Sequence, residues 1–303
     1  MRAATPQNVR AALLLALSGF ATLSIGDALV KTMAGQWPGT AVAMLRYTSA
    51  ALGLALLVAI REGRSGLRVP KPWLQFGRGA GVSIATICFF LGVMAMPLAD
   101  ATAIQFTSPI ITAMLAPVLL GERTTRAVWF AMALAFAGVL VVLRPNVLAL
   151  GGAAFYPLGA AVGMACLMLC NRKAAGVASP LAMQYLAAIM AAPILIAATL
   201  ILAATGGAQF QVGVPPASVV AKTLVIACTA TVAHMLIYMA AVRASAAVVA
   251  PMTYVQLLVA ALLGFLIWGT VPDLTTFAGA ALIIGGGLLL WHSQKPKEVP
   301  EPE

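Results

Sequence analysis

The chain has 303 residues, of which 62% are hydrophobic and only 9% are charged. Soluble domains usually carry about a quarter charged residues, so this composition excludes an ordinary water-soluble fold and indicates a protein that has lipid as its solvent. The formal charge of +10 would suit nucleic acid, but the charges lie at the ends of apolar runs, which is typical of membrane topology.

Ten apolar runs are long enough to cross a bilayer, which takes about 20 residues each. Turn signals such as Trp37-Pro38-Gly39 and Pro145-Asn146 separate them. The first run resembles a signal peptide, but many apolar runs follow it, so we interpret it as the first span. The predicted spans are 11–33, 39–60, 74–96, 98–120, 126–144, 151–171, 179–204, 217–241, 244–268 and 274–292.

The basic residues give the orientation of these spans. Thirteen of the 18 lysines and arginines fall on the side of the N-terminus, two fall on the other side, and three, Arg46, Arg78 and Lys222, lie within spans. Because cytoplasmic loops carry the excess of basic residues, we predict that both termini are cytoplasmic. Residues 293–303 are rich in proline and charge, which predicts a disordered cytoplasmic tail.

The sequence contains a weak internal repeat. Residues 108–122 align with 256–270 at an offset of 148, which pairs Gly121 with Gly269, and the same offset pairs Gly138 with Gly286. We therefore predict two halves, residues 1–146 and 147–292, with five helices each. Since five is odd, the second half enters the membrane from the opposite side, and inverted repeats of this kind recur in transporters.

Two stretches carry a family resemblance. The run ADATAIQFTSPIITAMLAPVLLGE at 99–122 and the stretch 246–290 resemble EamA-type domains of the drug/metabolite transporter superfamily. One departure is that the ending Gly121-Glu122 becomes Gly269-Thr270 in the second half. The resemblance implies an all-α, ten-helix, inverted-repeat carrier with a central cavity. The superfamily includes amino-acid exporters such as the YddG-like branch, uptake carriers and nucleotide-sugar carriers, so the resemblance does not fix the substrate.

Polar groups inside lipid are costly and tend to face a cavity or a partner, so they are candidates for substrate binding. Thr231, His234 and Tyr238 recur at i, i+3 and i+7 and share one helix face, although His234 could instead bond a neighbouring helix. The predicted substrate-binding residues are Ser83, Thr86, Phe90, Gln105, Ser108, Tyr156, Met164, Thr231, His234, Tyr238, Thr253 and Tyr254.

Two further groups are candidates for transport. Pro109 and Pro251 interrupt corresponding spans of the two halves, and we predict kinks that expose backbone to the binding site, with a role in packing alone as the alternative. Asp27, Lys31 and Arg46 lie near the outer ends of the first two spans. They predict either a charge cluster that gates the outer mouth or a structural ion pair.

The residues also limit the chemistry. No acidic residue and no basic cluster is expected near mid-membrane, which favours a neutral or zwitterionic amphipathic substrate. Cys166 and Cys170 are one turn apart but have no second ligand pair, so we predict packing residues and no metal or cofactor. An intramembrane enzyme would need a deep catalytic pair, which is missing.

We predict a multi-pass, alternating-access carrier of the cell inner membrane, acting as a monomer or homodimer without nucleic-acid partners. Its expected function is export of amino acids, including aromatic or hydrophobic ones. The alternatives are an uptake carrier for a nucleoside-like or methyl-donor metabolite and, from other classes, an intramembrane enzyme or a passive channel.

Overall fold

A computed structural model describes residues 6–33, 35–95, 104–122, 125–143, 151–269 and 274–293. These residues form ten helices and two short 3-10 segments, Gly151–Ala154 and Ala208–Phe210, and they contain no strand. The helices are α1 (Pro6–Lys31), α2 (Gly39–Gly66), α3 (Pro72–Ala95), α4 (Ser108–Leu120), α5 (Arg126–Leu143), α6 (Phe155–Lys173), α7 (Pro180–Thr205), α8 (Ala217–Arg243), α9 and α10 (Leu274–Ser293).

The ninth helix is interrupted. It consists of an α-helical turn Ala246–Val249, a 3-10 segment Ala250–Tyr254 and an α-helix Val255–Trp268, which together we call α9. Pro251 is the second residue of the 3-10 segment, where its missing N–H and fixed φ favour a break in the α-helical hydrogen bonds. Part of the predicted fourth span, residues 98–103, lies outside the described residues.

Local chemistry explains where several helices begin and end. Ser179 precedes α7, and its Oγ accepts a hydrogen bond of 3.0 Å from the backbone N–H of Ala182, as an N-cap does. Gly121 ends α4 with φ 67°, and Gly269 ends α9 with φ 66°. Glycine adopts this left-handed conformation without the steric cost of a side chain.

The surface of the helix bundle is apolar. Six of the described helices contain segments long and apolar enough to cross a membrane, and α4, α5 and α10 contain shorter apolar segments. Large apolar side chains such as Leu52, Val118 and Leu266 are exposed on the outside of the bundle. Exposed apolar surface of this extent suits a hydrocarbon environment.

Contacts between loops assign the helix ends to two faces. The indole N–H of Trp37, after α1, donates to the carbonyl of Gly213, before α8, at 3.0 Å. We call this end of the bundle the Trp37 face. At the other end, Glu122 follows α4 and bonds Arg172 of α6 and the backbone N–H of Ala246 at the start of α9. We call that end the Glu122 face.

Helices α5 and α10 pack closely along facing glycines. A Cβ atom on Gly138 would lie 2.6 Å from the carbonyl oxygen of Gly279, and one on Gly286 would lie 2.7 Å from the carbonyl oxygen of Ala131. Only glycine permits such an approach of two backbones. The two contacts are equivalent under the offset of 148 residues, because Gly138 corresponds to Gly286 and Ala131 corresponds to Gly279.

Two other helix pairs, α1 with α8 and α3 with α6, also pack through glycine. A Cβ atom on Gly19 of α1 would lie 2.8 Å from the carbonyl oxygen of Ala233 in α8. A Cβ atom on Gly163 of α6 would lie 2.7 Å from the carbonyl oxygen of Gly81 in α3. The remaining large contact, of α2 with α7, brings together the helices that flank the cavity described next.

Candidate functional site

A narrow cavity lies between α2, α3, α6, α7 and α8. Its volume, taken as the space open to the centre of a water-sized sphere, is about 40 Å³. Much of the wall is alanine, leucine and valine. The polar lining residues are Arg46, Tyr47, Arg78, Asn171, Gln184, Thr231 and His234. Apolar walls with a few convergent polar groups are typical of small-molecule sites.

A layer of buried hydrogen bonds lies between the cavity and the Glu122 face. Arg78 of α3 donates from Nε to Asn171 Oδ1 at 2.7 Å. Its Nη1 donates to Gln75 Oε1 and to the carbonyl oxygen of Met183, both at 2.8 Å. These bonds join α3 to the end of α6 and the start of α7.

A second arginine reaches the cavity from the other face. Arg46 of α2 donates from Nη2 to the hydroxyl of Tyr47 at 3.3 Å, and its Cζ lies 4.8 Å from the centroid of that ring. Because α2 and α3 begin at opposite faces, Arg46 and Arg78 each lie roughly 10 Å along their helix from its own face. The expectation that no basic residues gather inside the membrane is therefore corrected, since two antiparallel helices bring them to one cavity.

The predicted face of α8 is divided in the structure. Thr231 and His234 line the cavity. Tyr238 is buried one turn further along α8, where its hydroxyl donates to the carbonyl oxygen of Ala174 at 3.0 Å and its ring centroid lies 5.6 Å from Cζ of Arg78. Tyr238 thus supports the layer beneath the cavity rather than the cavity wall.

A second polar group joins α1 to α9 outside the cavity lining. Ser24 Oγ donates to the carbonyl oxygen of Gln256 at 2.8 Å, and Thr253 Oγ1 bonds Gln256 Oε1 at 2.8 Å. Gln256 Nε2 donates to Asp27 Oδ2 over a longer distance of 3.5 Å. Within the described part of the chain, no ion pair joins Asp27 to another residue, and the side chain of Lys31 lies outside that part.

The interrupted part of α9 packs in an aromatic cluster. The ring centroid of Tyr254 lies 5.8 Å from that of Phe106 and 6.5 Å from that of Phe136. The Tyr254 hydroxyl is buried without a hydrogen-bond partner among the described residues. Pro251 is the second residue of the 3-10 segment, in agreement with the predicted interruption. The predicted kink at Pro109 is wrong, because Pro109 lies in the first turn of α4, where proline removes no helical hydrogen bond.

The candidates on α3 make local or packing contacts. Ser83 is buried and donates to the carbonyl oxygen of Ala191 in α7 at 3.4 Å. Thr86 Oγ1 donates to the carbonyl oxygen of Val82 one turn earlier, at 2.8 Å. Phe90 packs against the hydrophobic core. None of these three side chains is part of the cavity lining in the described structure.

The remaining candidates are also outside the cavity lining. Met164 packs against the core that α2, α3 and α7 share, and Tyr156 is exposed at the start of α6. Gln105 is half-buried before α4, and Ser108 is buried at its first residue. Thr112 Oγ1 donates back to the carbonyl oxygen of Ser108 at 2.9 Å, so this hydroxyl is bonded within its own helix.

Sequence reasoning missed Arg78, Asn171 and Gln184 as residues of the cavity wall, and in one case a signal was available. Arg78 stands inside an apolar run, where a charge is costly without a special partner. By contrast, Asn171 and Gln184 lie near the ends of α6 and α7, where polar residues are ordinary. Among the described residues, no group of three His, Cys, Asp or Glu side chains could hold a metal ion.

Comparison with known families adds a decisive observation. The sequence pattern of the EamA-like transporter family matches residues 10–144 and matches again at residues 151–291. The chain belongs to the EamA-like transporter family. Membership, together with the apolar helices, makes it a multi-pass integral membrane protein that transports rather than catalyses.

Curated EamA-like relatives extend over nearly the whole chain. A riboflavin transporter of Rhizobium johnstonii is 27% identical, covering 88% of this chain and 85% of its own. An S-adenosylmethionine uptake transporter of Rickettsia prowazekii is 25% identical, covering 92% of both. The pseudopaline exporter CntI of Pseudomonas aeruginosa is 27% identical, covering 95% of this chain and 98% of its own.

A solved structure has the same fold. It matches this EamA-like chain with a TM-score of 0.75 at 18% sequence identity, covering 92% of this chain and 95% of the other. At this identity the likeness concerns the path of the helices alone. The relatives include both uptake proteins and an exporter, so they support membrane transport of a small molecule without fixing its direction.

Proposed function

We propose that the chain is an alternating-access carrier that moves small neutral or zwitterionic metabolites across the bacterial inner membrane. Amino acids, including aromatic and hydrophobic ones, are the proposed substrates, and export is the proposed direction. The observation that carries this proposal is the cavity itself. Its walls come from α2 and α3 of the first family match and from α6, α7 and α8 of the second.

An inverted relation between the halves 1–146 and 147–292 is part of the proposal. The mirrored contacts of Gly138 with Gly279 and of Gly286 with Ala131 support it. The pairing of helices supports it as well, because α1 packs on α8 as α6 packs on α3, while α5 packs on α10 and α2 on α7. Two halves of this kind can exchange conformations, and that exchange opens a shared cavity to each side in turn.

The orientation rests on charge. We propose that the Glu122 face is cytoplasmic, so that both termini are inside and residues 293–303 form a cytoplasmic tail. In its support, the helix ends and loops of that face carry Arg61, Arg64, Lys71, Arg172 and Arg243. Cytoplasmic loops carry the excess of lysine and arginine in membrane proteins.

The lining supports the substrate class. Hydroxyl, amide and imidazole groups of Thr231, Gln184 and His234 can bond a zwitterion, while the alanines of the lining present apolar surface to the rest of the substrate. Uptake of a nucleoside-like or methyl-donor metabolite is the second candidate function. It is favoured by the similarity to the S-adenosylmethionine uptake transporter, at 25% identity over 280 residues.

The test is counterflow in liposomes that contain the purified protein. Vesicles are loaded with one unlabelled amino acid, and entry of the same labelled compound is followed for the wild type and for His234→Ala. We expect saturable uptake that depends on the internal amino acid and falls about tenfold in the variant, since His234 lines the cavity. Cys228→Ala, an exposed position on the same helix, is the control and should behave as the wild type.

Each result decides between the candidates. Counterflow of S-adenosylmethionine or riboflavin in the absence of counterflow of any amino acid would favour the second candidate over the first. Flux that does not saturate and does not depend on the internal compound would instead indicate a channel.

A further inference from the structure

Arg78 is a deeply buried cation whose hydrogen bonds are all to neutral acceptors. Its side chain is only 1% exposed. The acceptors are an amide oxygen of Asn171, an amide oxygen of Gln75 and the backbone carbonyl of Met183. These acceptors satisfy N–H groups, but they do not neutralise the charge, and a buried charge without a counter-ion is costly.

The geometry leaves part of the guanidinium for a ligand. The three bonds use Nε and Nη1 of Arg78, whereas a guanidinium carries five N–H donors. Both hydrogens of Nη2 are outside these bonds, and Arg78 is part of the cavity wall. In the described part of the chain, the one ion pair is that of Arg172 with Glu122, so no carboxylate neutralises Arg78.

Other donors face the same space. Gln184 follows Met183 in α7, is buried, lines the cavity, and its Nε2 has no hydrogen-bond partner among the described residues. Arg46 brings a second positive charge to the cavity. No acidic residue is part of the lining in the described structure, and Asp27 bonds Gln256 instead. Such a site attracts an anionic group and repels a cation.

We propose that Arg78 binds the anionic group of the substrate, so that the cavity selects metabolites that carry a carboxylate. This inference rests on the proposed function, because it takes the cavity as the substrate site. A planar guanidinium matches a carboxylate with parallel N–H bonds, which a lysine cannot reproduce. Amines and alcohols without a carboxylate leave the charge of Arg78 uncompensated, and they are excluded.

The experiment separates binding from transport. The twenty proteinogenic L-amino acids and S-adenosylmethionine are added singly to the purified protein in detergent, and the concentration for half-maximal thermal stabilisation is measured. The amino alcohol that corresponds to each stabilising amino acid is measured beside it. We expect a stabilising carboxylate compound to act at concentrations about tenfold or more below those of its amino alcohol.

Variants test the named residues. Arg78→Gln removes the charge and should weaken the stabilisation about tenfold or more, with Arg78→Lys intermediate. Gln184→Glu is nearly isosteric and places a carboxylate in the wall of the same cavity as Arg78, so it should fold and should reverse the preference from the amino acid to the amino alcohol. Arg61→Gln removes an equal charge at an exposed position near the end of α2 and should match the wild type.

The outcomes are distinct. Equal stabilisation by amino acids and amino alcohols, or stabilisation by no carboxylate compound, overturns the inference. Counterflow that amino alcohols inhibit as well as amino acids overturns it too, yet leaves the carrier function standing. Carboxylate binding that depends on Arg78 and reverses in Gln184→Glu, without any counterflow, supports the anionic site and contradicts the proposed transport.

Discussion

Two arginines join helices of the bundle in similar ways but with different partners. Arg172, at the end of α6, donates from Nε to Glu122 at 2.5 Å and from Nη1 to the carbonyl oxygens of Ala241 and Val242. Arg78 makes the same number of strong bonds to neutral oxygens alone. The paired arginine belongs to a contact between helix ends at the Glu122 face, whereas the unpaired one lines the cavity.

The comparison shows how one residue type can serve structure and binding in the same bundle. A charge that meets its counter-ion within the protein is already compensated, and its contribution is to hold helix ends together. A buried charge whose bonds are all to neutral groups has electrostatic attraction left for a ligand. Substitutions that alter each kind of charge test this difference.

The largest effect is expected at the Glu122 face. Glu122→Gln leaves Arg172 without its counter-ion and weakens the acceptor of the backbone N–H of Ala246. Because the pair is mostly buried, we expect the free energy of unfolding to fall by about 2 kcal/mol, seen as a lower melting temperature in detergent. Glu62→Gln is the matched control, since Glu62 bonds the hydroxyl of Ser179 and its amide can still accept.

A double-mutant cycle sharpens this prediction. If Arg172 and Glu122 act as a pair, the double variant with Arg172→Gln and Glu122→Gln should lose little more free energy of unfolding than Glu122→Gln loses alone. Losses of unfolding free energy that add in the double variant would contradict the pairing. Arg172 would then be no better compensated than Arg78.

A smaller effect, on transport rather than stability, is expected at Arg46. Its guanidinium is half-buried, lines the cavity and bonds Tyr47 weakly at 3.3 Å. Arg46→Gln should lower the rate of counterflow about tenfold and change the melting temperature little, because few protein bonds are lost. Lys222→Gln removes a charge of α8 outside the cavity lining and should leave counterflow unchanged.

Arg46→Lys completes that series. It keeps the charge but loses the planar donor group, so it should retain more activity than Arg46→Gln. Equal losses in both variants would indicate that the shape of the guanidinium, rather than its charge, serves the site.

The smallest effect is expected at Thr231. Its hydroxyl lines the cavity, so Thr231→Val should raise the concentration for half-maximal counterflow about threefold through one lost neutral hydrogen bond. Thr229→Val is the matched control on the same helix, because the Thr229 hydroxyl bonds the carbonyl of Ile226 outside the cavity. A rise of the same size in both variants would count against a contact between Thr231 and the substrate.

Much of the fold follows from hydrophobic pattern and turn signals. The ten apolar runs correspond to ten helices, since each is bounded by proline, glycine or charged residues that end helices. The interruption of α9 occurs at Pro251, which removes a backbone donor. Within the described part of the fourth span, a turn at residues 106–107 precedes α4, which begins at Ser108 with Pro109 in its first turn.

The site was harder to predict, because helical periodicity shows which residues share a face of a helix but not which helix or cavity that face contacts. Thr231, His234 and Tyr238 share a face of α8, yet Tyr238 meets the carbonyl of Ala174 beyond the end of the cavity. Arg46 and Arg78 line the same cavity because the antiparallel helices α2 and α3 both pack near α7 and α8. This packing depends on contacts between residues that are far apart in the sequence. Periodicity within one helix contains no information about it.

The bonds of Arg78 also bear on how the chain is made. Its acceptors Asn171 and Met183 are 93 and 105 residues further along the sequence. At about 5–20 residues per second, a ribosome needs roughly 5–20 s to synthesise them after Arg78 itself. Throughout that interval α3 carries a guanidinium that lacks these acceptors, so its entry into the bilayer must be driven by its apolar residues. A nascent chain that stops after α5 never acquires them.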